Sequence, residues 1–146
     1  MNETYKVIVA DDHPGIRSGV RDMIEESGEF EVIAEAADGK DALSYVKKLI
    51  PDLLILDVQL PDIRGPEIAR RLKSENLPTV ILALSAYGLS DFVIDMIENG
   101  AQGYLTKEQA PEFLLEAARD LMGMGKEVWI ADELKEKIGL DPRLLE

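Results

Sequence analysis

Five short apolar runs, each followed by an amphipathic stretch of helical period, leave this chain few folds to choose from. The runs are Lys6–Ala10 (KVIVA), Phe30–Ala37 (FEVIAEAA), Leu53–Asp57 (LLILD), Thr79–Leu84 (TVILAL) and Gln102–Lys107 (QGYLTK). Most are near-continuously apolar, the pattern of parallel strands covered by helices on both faces. Ile16, Val20, Met23 and Ile24 recur at helical spacing after Pro14, a residue favoured in a first helical turn. Ala42, Leu43, Val46 and Leu49 form a second apolar stripe behind Asp38, a candidate cap. Ile68, Ala69 and Leu72 form a third. Ser90–Gly100 forms a fourth, closed by a glycine, and Phe113, Leu114, Ala117, Ala118, Leu121 and Met122 form a fifth. Strand–helix units joined by right-handed crossovers predict an α/β, flavodoxin-like, doubly wound parallel sheet in three layers. The expected sheet is five-stranded, with order 2-1-3-4-5.

At 146 residues the chain suits one domain, expected over 1–125 and followed by a linker-like tail over 126–146. The tail holds the only Trp. Its residues Val128–Ile130 read as extended and Ala131–Ile138 as a short helix, and Pro142 ends any helix.

Composition narrows the function. Cysteine is absent, so disulfides and thiolate metal sites are excluded. The net charge of −13 speaks against binding nucleic acid, which draws affinity from Lys and Arg on phosphates. No stretch approaches the roughly 18–20 apolar residues of a membrane span, and the N-terminus lacks the apolar core of a signal peptide. A cytoplasmic location is expected. His13, the only histidine, has no Cys or Ser partner in evidence and reads as a loop residue.

In such a fold ligands sit beyond the carboxyl ends of the strands. Asp11 and Asp12 follow the first strand, Asp57 ends the third, Ser85 follows the fourth and Lys107 stands near the end of the fifth. Each alone reads as a cap, a turn residue or a solvated charge. Together they set three carboxylates, a hydroxyl and an ammonium on one rim. Crowded carboxylates stay ionised only beside a cation, and an open all-oxygen site suits Mg²⁺. A divalent ion beside a carboxylate, with Lys107 and Ser85 near, makes a landing place for a phosphoryl group. A carboxylate can itself be the nucleophile. Asp57, aimed off the end of a buried strand, is the expected phosphoryl acceptor. Tyr104 on the fifth strand reads by itself as a half-buried packing residue.

The segments VADDHPGIRSGV, LLILDVQLPD, ALSA and GYLTK, in this order and at these spacings, resemble the receiver domain of bacterial response regulators. The resemblance covers about residues 5–125. The DDHP opening and Lys107-Glu108, where many receivers have Lys-Pro, look like the NarL/LuxR-type branch. The resemblance implies phosphoryl transfer to Asp57 from a sensor histidine kinase in a two-component phosphorelay. It implies Mg²⁺ held by Asp11, Asp12, Asp57 and the backbone carbonyl of Gln59. Lys107 would pair with the phosphoryl group, and Ser85 would be the switch hydroxyl, with Tyr104 turning inward in step. Gln59 and Tyr87 would tune water access. The chain would catalyse only its own phosphorylation and dephosphorylation and would not be an enzyme in the usual sense. A changed protein-contact surface, a homodimer among its uses, would control transcription through a helix-turn-helix output domain that this chain lacks. The Lys107–Glu108 peptide is expected to be trans, because a non-proline cis bond costs about 2.5–4 kcal/mol.

Other readings are a stand-alone receiver acting by protein contact, a phosphorylation-independent dimerisation module, a flavin binder of the same fold and a dehalogenase-type hydrolase. Asp11 and Asp12 would repel a flavin phosphate. Gln59 stands where such a hydrolase carries its second Asp.

Overall fold

The computed structural model describes residues 3–86, 90–123 and 128–131. Strands and helices alternate along the chain: β1 (Tyr5–Ala10), α1 (Pro14–Glu25), β2 (Phe30–Ala36), α2 (Gly39–Leu49), β3 (Leu53–Asp57), α3 (Gly65–Ser74), β4 (Val80–Ser85), α4 (Ser90–Glu98), β5 (Gly103–Thr106) and α5 (Ala110–Gly123), followed by β6 (Trp129–Ile130). All pairings are parallel, and the sheet order is β2-β1-β3-β4-β5-β6.

The expected order 2-1-3-4-5 is present, but the sheet has six strands, not five. Trp129 and Ile130 extend it by pairing with Gly103 and Tyr104. The gain is local: the Trp129 ring is buried, lies 6.2 Å from Phe113, and its indole N–H donates to Asp120 Oδ2 at 3.0 Å. The pairing also covers the otherwise open edge of β5. The helix expected near Ala131–Ile138 falls, beyond Ala131, outside the described residues.

Period-two alternation explains how one apolar run serves two layers. Leu54 and Leu56 of β3, with Ile8, Ile81 and Ala83, pack on Ala42, Val46, Ile68, Leu72 and Met96 from α2, α3 and α4. Leu53 and Ile55, with Val7, Val9, Leu82 and Leu84, pack on Val20, Ile24, Leu114, Ala118 and Leu121 from α1 and α5. The central strands are therefore buried on both faces. Asp57 continues from β3 at only 3% exposure.

Asp38 caps α2 as expected, accepting the Asp41 N–H at 2.8 Å. Gly100 ends α4 at φ +111°, a conformation that favours glycine. Gly65 opens α3 where its N–H donates to the Val58 carbonyl at 2.8 Å; a Cβ there would stand 2.8 Å from Val58 Cα. Glycine thus lets α3 start hard against the loop that leaves Asp57. No described peptide bond is cis, Lys107–Glu108 included. Among the described residues no helix is long and apolar enough to cross a membrane.

Candidate functional site

Parallel register brings the polar residues to one end of the sheet. Ala10 of β1 pairs with Leu56 of β3, so Asp11 and Asp57 leave adjacent strands at the same level. Asp57 is level with Leu84 of β4, one residue before Ser85, and Ser85 is level with Thr106 of β5, one residue before Lys107. The Lys107 N–H donates to the Ser85 carbonyl at 2.7 Å, which fixes where the lysine side chain starts.

Lys107 Nζ then lies 3.1 Å from Asp11 Oδ2 and 3.3 Å from Asp57 Oδ2. Both carboxylates are almost wholly buried, and the lysine is 17% exposed. Burial works to lower the Lys107 pKa, but the Asp11 and Asp57 carboxylates outweigh it and hold the ammonium above its usual value. Burial raises Asp57 above the usual carboxylate range, and Asp11 adds to this. The Gln59 backbone N–H, donating to Asp57 Oδ1 at 3.0 Å, and Lys107 act against it.

Asp12 and His13 complete the cluster. One ligating atom from each of Asp11, Asp12, His13 and Asp57 lies within 4.8 Å of every other. Asp11 Oδ2 and Asp12 Oδ1 are buried without a hydrogen bond. The contact of Asp11 Oδ2 with Lys107 is an ion pair lacking hydrogen-bond alignment. Two buried acceptor oxygens with unused lone pairs, in an oxygen-rich cluster, fit a hard divalent cation.

Ser85 and Tyr104 are fully buried and share a hydrogen bond. Burial first, then the charge of Asp57, raises the Tyr104 hydroxyl pKa. The half-buried position read for Tyr104 is corrected: the ring is enclosed in the layer packed by α2, α3 and α4. Gln59 is exposed beside the site and joins it through its backbone N–H. Tyr87 lies outside the described residues.

Three residues of this neighbourhood escaped the sequence reading. His13 stands in the cluster, with Nδ1 3.0 Å from Asp12 Oδ1. Arg17 donates to the Asp11 carbonyl at 2.7 Å and pairs with Glu35 at 3.1 Å, tying the acidic loop to α1 and β2. Asp62, on the loop after β3, caps α2 from a distance. It accepts the N–H groups of Gly39 at 2.7 Å and Lys40 at 3.0 Å, and these hold its carboxyl below the usual range. Asp62→Ala is expected to cost about 1–2 kcal/mol, the usual value of a cap. Urea melts check this: the midpoint should fall at unchanged slope. A loss under about 0.3 kcal/mol would show that water replaces the cap.

The sequence from residue 7 to 119 matches the family described as response regulator receiver domain. The nitrate/nitrite response regulator homolog of Haemophilus influenzae is 32% identical over 135 residues, covering 92% of this chain and 64% of that protein. The nitrate/nitrite response regulator NarP of Escherichia coli is 36% identical over 115 residues, covering 79% and 54%. The chain thus spans between half and two thirds of the length of these relatives. Among solved structures, the signal receiver domain of NarL from Mycobacterium tuberculosis aligns with TM-score 0.81 at 34% identity, covering 84% of this chain and 99% of that one. A LuxR-family two-component response regulator from Aurantimonas aligns with TM-score 0.87 at 29% identity, covering 94% and 96%.

Proposed function

From the premise that this chain belongs to the response regulator receiver domains, of the NarL type found in two-component signalling, we propose that Asp57 is its phosphoryl acceptor and a sensor histidine kinase its donor. The observation that carries this is the meeting of Asp11, Asp12, Asp57 and Lys107 at one end of the sheet, with Lys107 Nζ within 3.3 Å of two buried carboxylates.

In the transfer, an Asp57 carboxylate oxygen attacks phosphorus. A P–O bond forms as the P–N bond of the donor phosphohistidine breaks, and the departing imidazole takes up a proton. The Gln59 N–H holds the other Asp57 oxygen and so fixes the face presented. Lys107 stands ready to meet a phosphoryl oxygen. Asp11, Asp12, Asp57 and the Gln59 carbonyl would hold Mg²⁺, which offsets the charge developing on the phosphoryl oxygens.

The readout follows from the hydrogen bond between Ser85 and Tyr104. A phosphoryl oxygen on Asp57 competes for the Ser85 hydroxyl, releasing Tyr104 to repack among α4 and β5. The face they form would then change its protein contacts and act on transcription through an output domain joined beyond the 126–146 segment. Residues 1–125, with β6 added to their sheet, would be the receiver unit, working in the cytoplasm.

The test is intact mass after incubation with Mg²⁺ and a small phosphoryl donor, acetyl phosphate or phosphoramidate. One phosphoryl group should be gained, and none after chelation. Retention of full labelling under chelation would remove the metal from the reading. No labelling from either small donor or from a phosphorylated histidine kinase domain would overturn the acceptor role.

A further inference from the structure

His13 is the only nitrogen donor in the acidic cluster, and its position is specific. Its ring Nδ1 lies 3.0 Å from Asp12 Oδ1 and 3.2 Å from Asp11 Oδ1. Two ligands at right angles on one ion, with bonds of about 2.1 Å, stand about 3 Å apart. The backbone N–H of His13 donates to Asp11 Oδ1 at 2.9 Å, so the same turn that pins Asp11 also places the ring. The imidazole is 61% exposed, and solvent ions reach it without any rearrangement of the core.

We propose that His13 supplies an imidazole nitrogen to the metal site and broadens it from Mg²⁺ to borderline divalent ions such as Ni²⁺. The proposal rests on the metal-binding reading of the acidic rim. Mg²⁺ takes oxygen ligands, whereas imidazole suits later first-row ions and gains far more from Ni²⁺ than from Mn²⁺. His13 is therefore a selectivity residue: it adds little to Mg²⁺ binding and much to Ni²⁺ binding. The competing role is that of an ion-pair or hydrogen-bond partner of Asp11 and Asp12. In that role the ring competes with every metal, and its removal would leave all affinities equal or stronger.

The two roles separate by sign. Tag-free protein is titrated with Mg²⁺ and with Ni²⁺ by calorimetry, beside His13→Ala and His13→Gln. Both variants are expected to lose at least about tenfold in Ni²⁺ affinity, while Mg²⁺ affinity changes by less than about threefold. A second readout is electron spin-echo modulation of the Mn²⁺-loaded protein. The chain has one histidine, so any imidazole-nitrogen coupling to Mn²⁺ belongs to His13. Coupling in the parent and its loss in His13→Gln are expected. Metal binding without nitrogen coupling, or equal effects on Mg²⁺ and Ni²⁺, would overturn the His13 role and leave the acidic site standing. Failure of the parent to bind any of the three ions would overturn both.

Discussion

Asp57→Asn is expected to abolish phosphoryl incorporation and, in metal-free protein at neutral pH, to make the fold more stable. The first part follows from chemistry, because an amide oxygen is a poor nucleophile and the neighbouring acids are engaged with other groups. Asp11 faces Lys107 and accepts the His13 N–H, and Asp12 stands beside His13. The second part follows from linkage. Burial, with Asp11 adding to it, raises the Asp57 pKa above its ordinary 3.8, against the opposing pull of the Gln59 N–H and Lys107. A carboxyl raised in the folded state binds more protons there than in the unfolded chain. Stability therefore falls as pH rises from about 3.8 through the folded value, and the whole penalty is present above it. The amide never carries that charge. The gain should be about 1–2 kcal/mol at pH 7.5, a common size for relieving a destabilised functional site, and it should vanish toward pH 4. Melting should rise by roughly 3–6 °C at pH 7.5. Thermal melts at the two pH values in a chelator, with intact mass on the same samples, check both halves. A variant that still labels fully would move the acceptor to another residue. One that melts lower at pH 7.5 would show that Asp57 is held as a net stabilising partner of Lys107.

The strand–helix alternation and the identity of the rim were legible because both are written in local patterns, whereas the sheet order came from the known order of such folds. A short continuous apolar run such as Leu53–Leu56, set off by Pro51 and Pro61, suits a strand covered on both faces, and the polar residue that ends it emerges at the rim. The positions of Asp11, Asp57, Ser85 and Lys107 follow from that. What stayed hidden depended on groups far apart in sequence. Asp62 caps a helix that begins 23 residues earlier, and no period or motif announces such a contact. His13 read as a loop residue because nothing in a single chain says that its ring turns back toward Asp11 and Asp12. Val128–Ile130 was read as extended, and β6 bears this out, but two strand residues do not show that they join the sheet. They became β6 because Phe113, Asp120 and the open edge of β5 were there to receive them. Tyr104 read by itself as half-buried; pairing of β6 with its strand makes that strand an interior one.

Lys107→Met is expected to destabilise the metal-free protein by about 2–3 kcal/mol and to tighten its grip on Mg²⁺. Methionine keeps the unbranched stem, so packing changes little. What is lost is a cation that faces both buried carboxylates, 3.1 Å from Asp11 and 3.3 Å from Asp57. Breaking an enclosed ion pair costs about 3–5 kcal/mol, and the partial exposure of Lys107 reduces that figure. The loss should shrink at acid pH, where Asp57 takes up a proton. A divalent ion bound among the same carboxylates meets the ammonium as a like charge. At about 5 Å, charges of one and two repel by roughly 1.7 kcal/mol even in water, so removing one should strengthen Mg²⁺ binding by on the order of tenfold. Saturating Mg²⁺ should then restore more stability to the variant than it adds to the parent, by the usual linkage of binding to folding. Urea melts of both proteins with and without Mg²⁺, alongside a direct Mg²⁺ titration, measure each effect. Weaker Mg²⁺ binding by the variant would mean that Lys107 holds the acids in place for the metal; stronger binding means that it stands in for the metal, an internal cation that must give up part of its hold on Asp11 and Asp57 before the site can do chemistry.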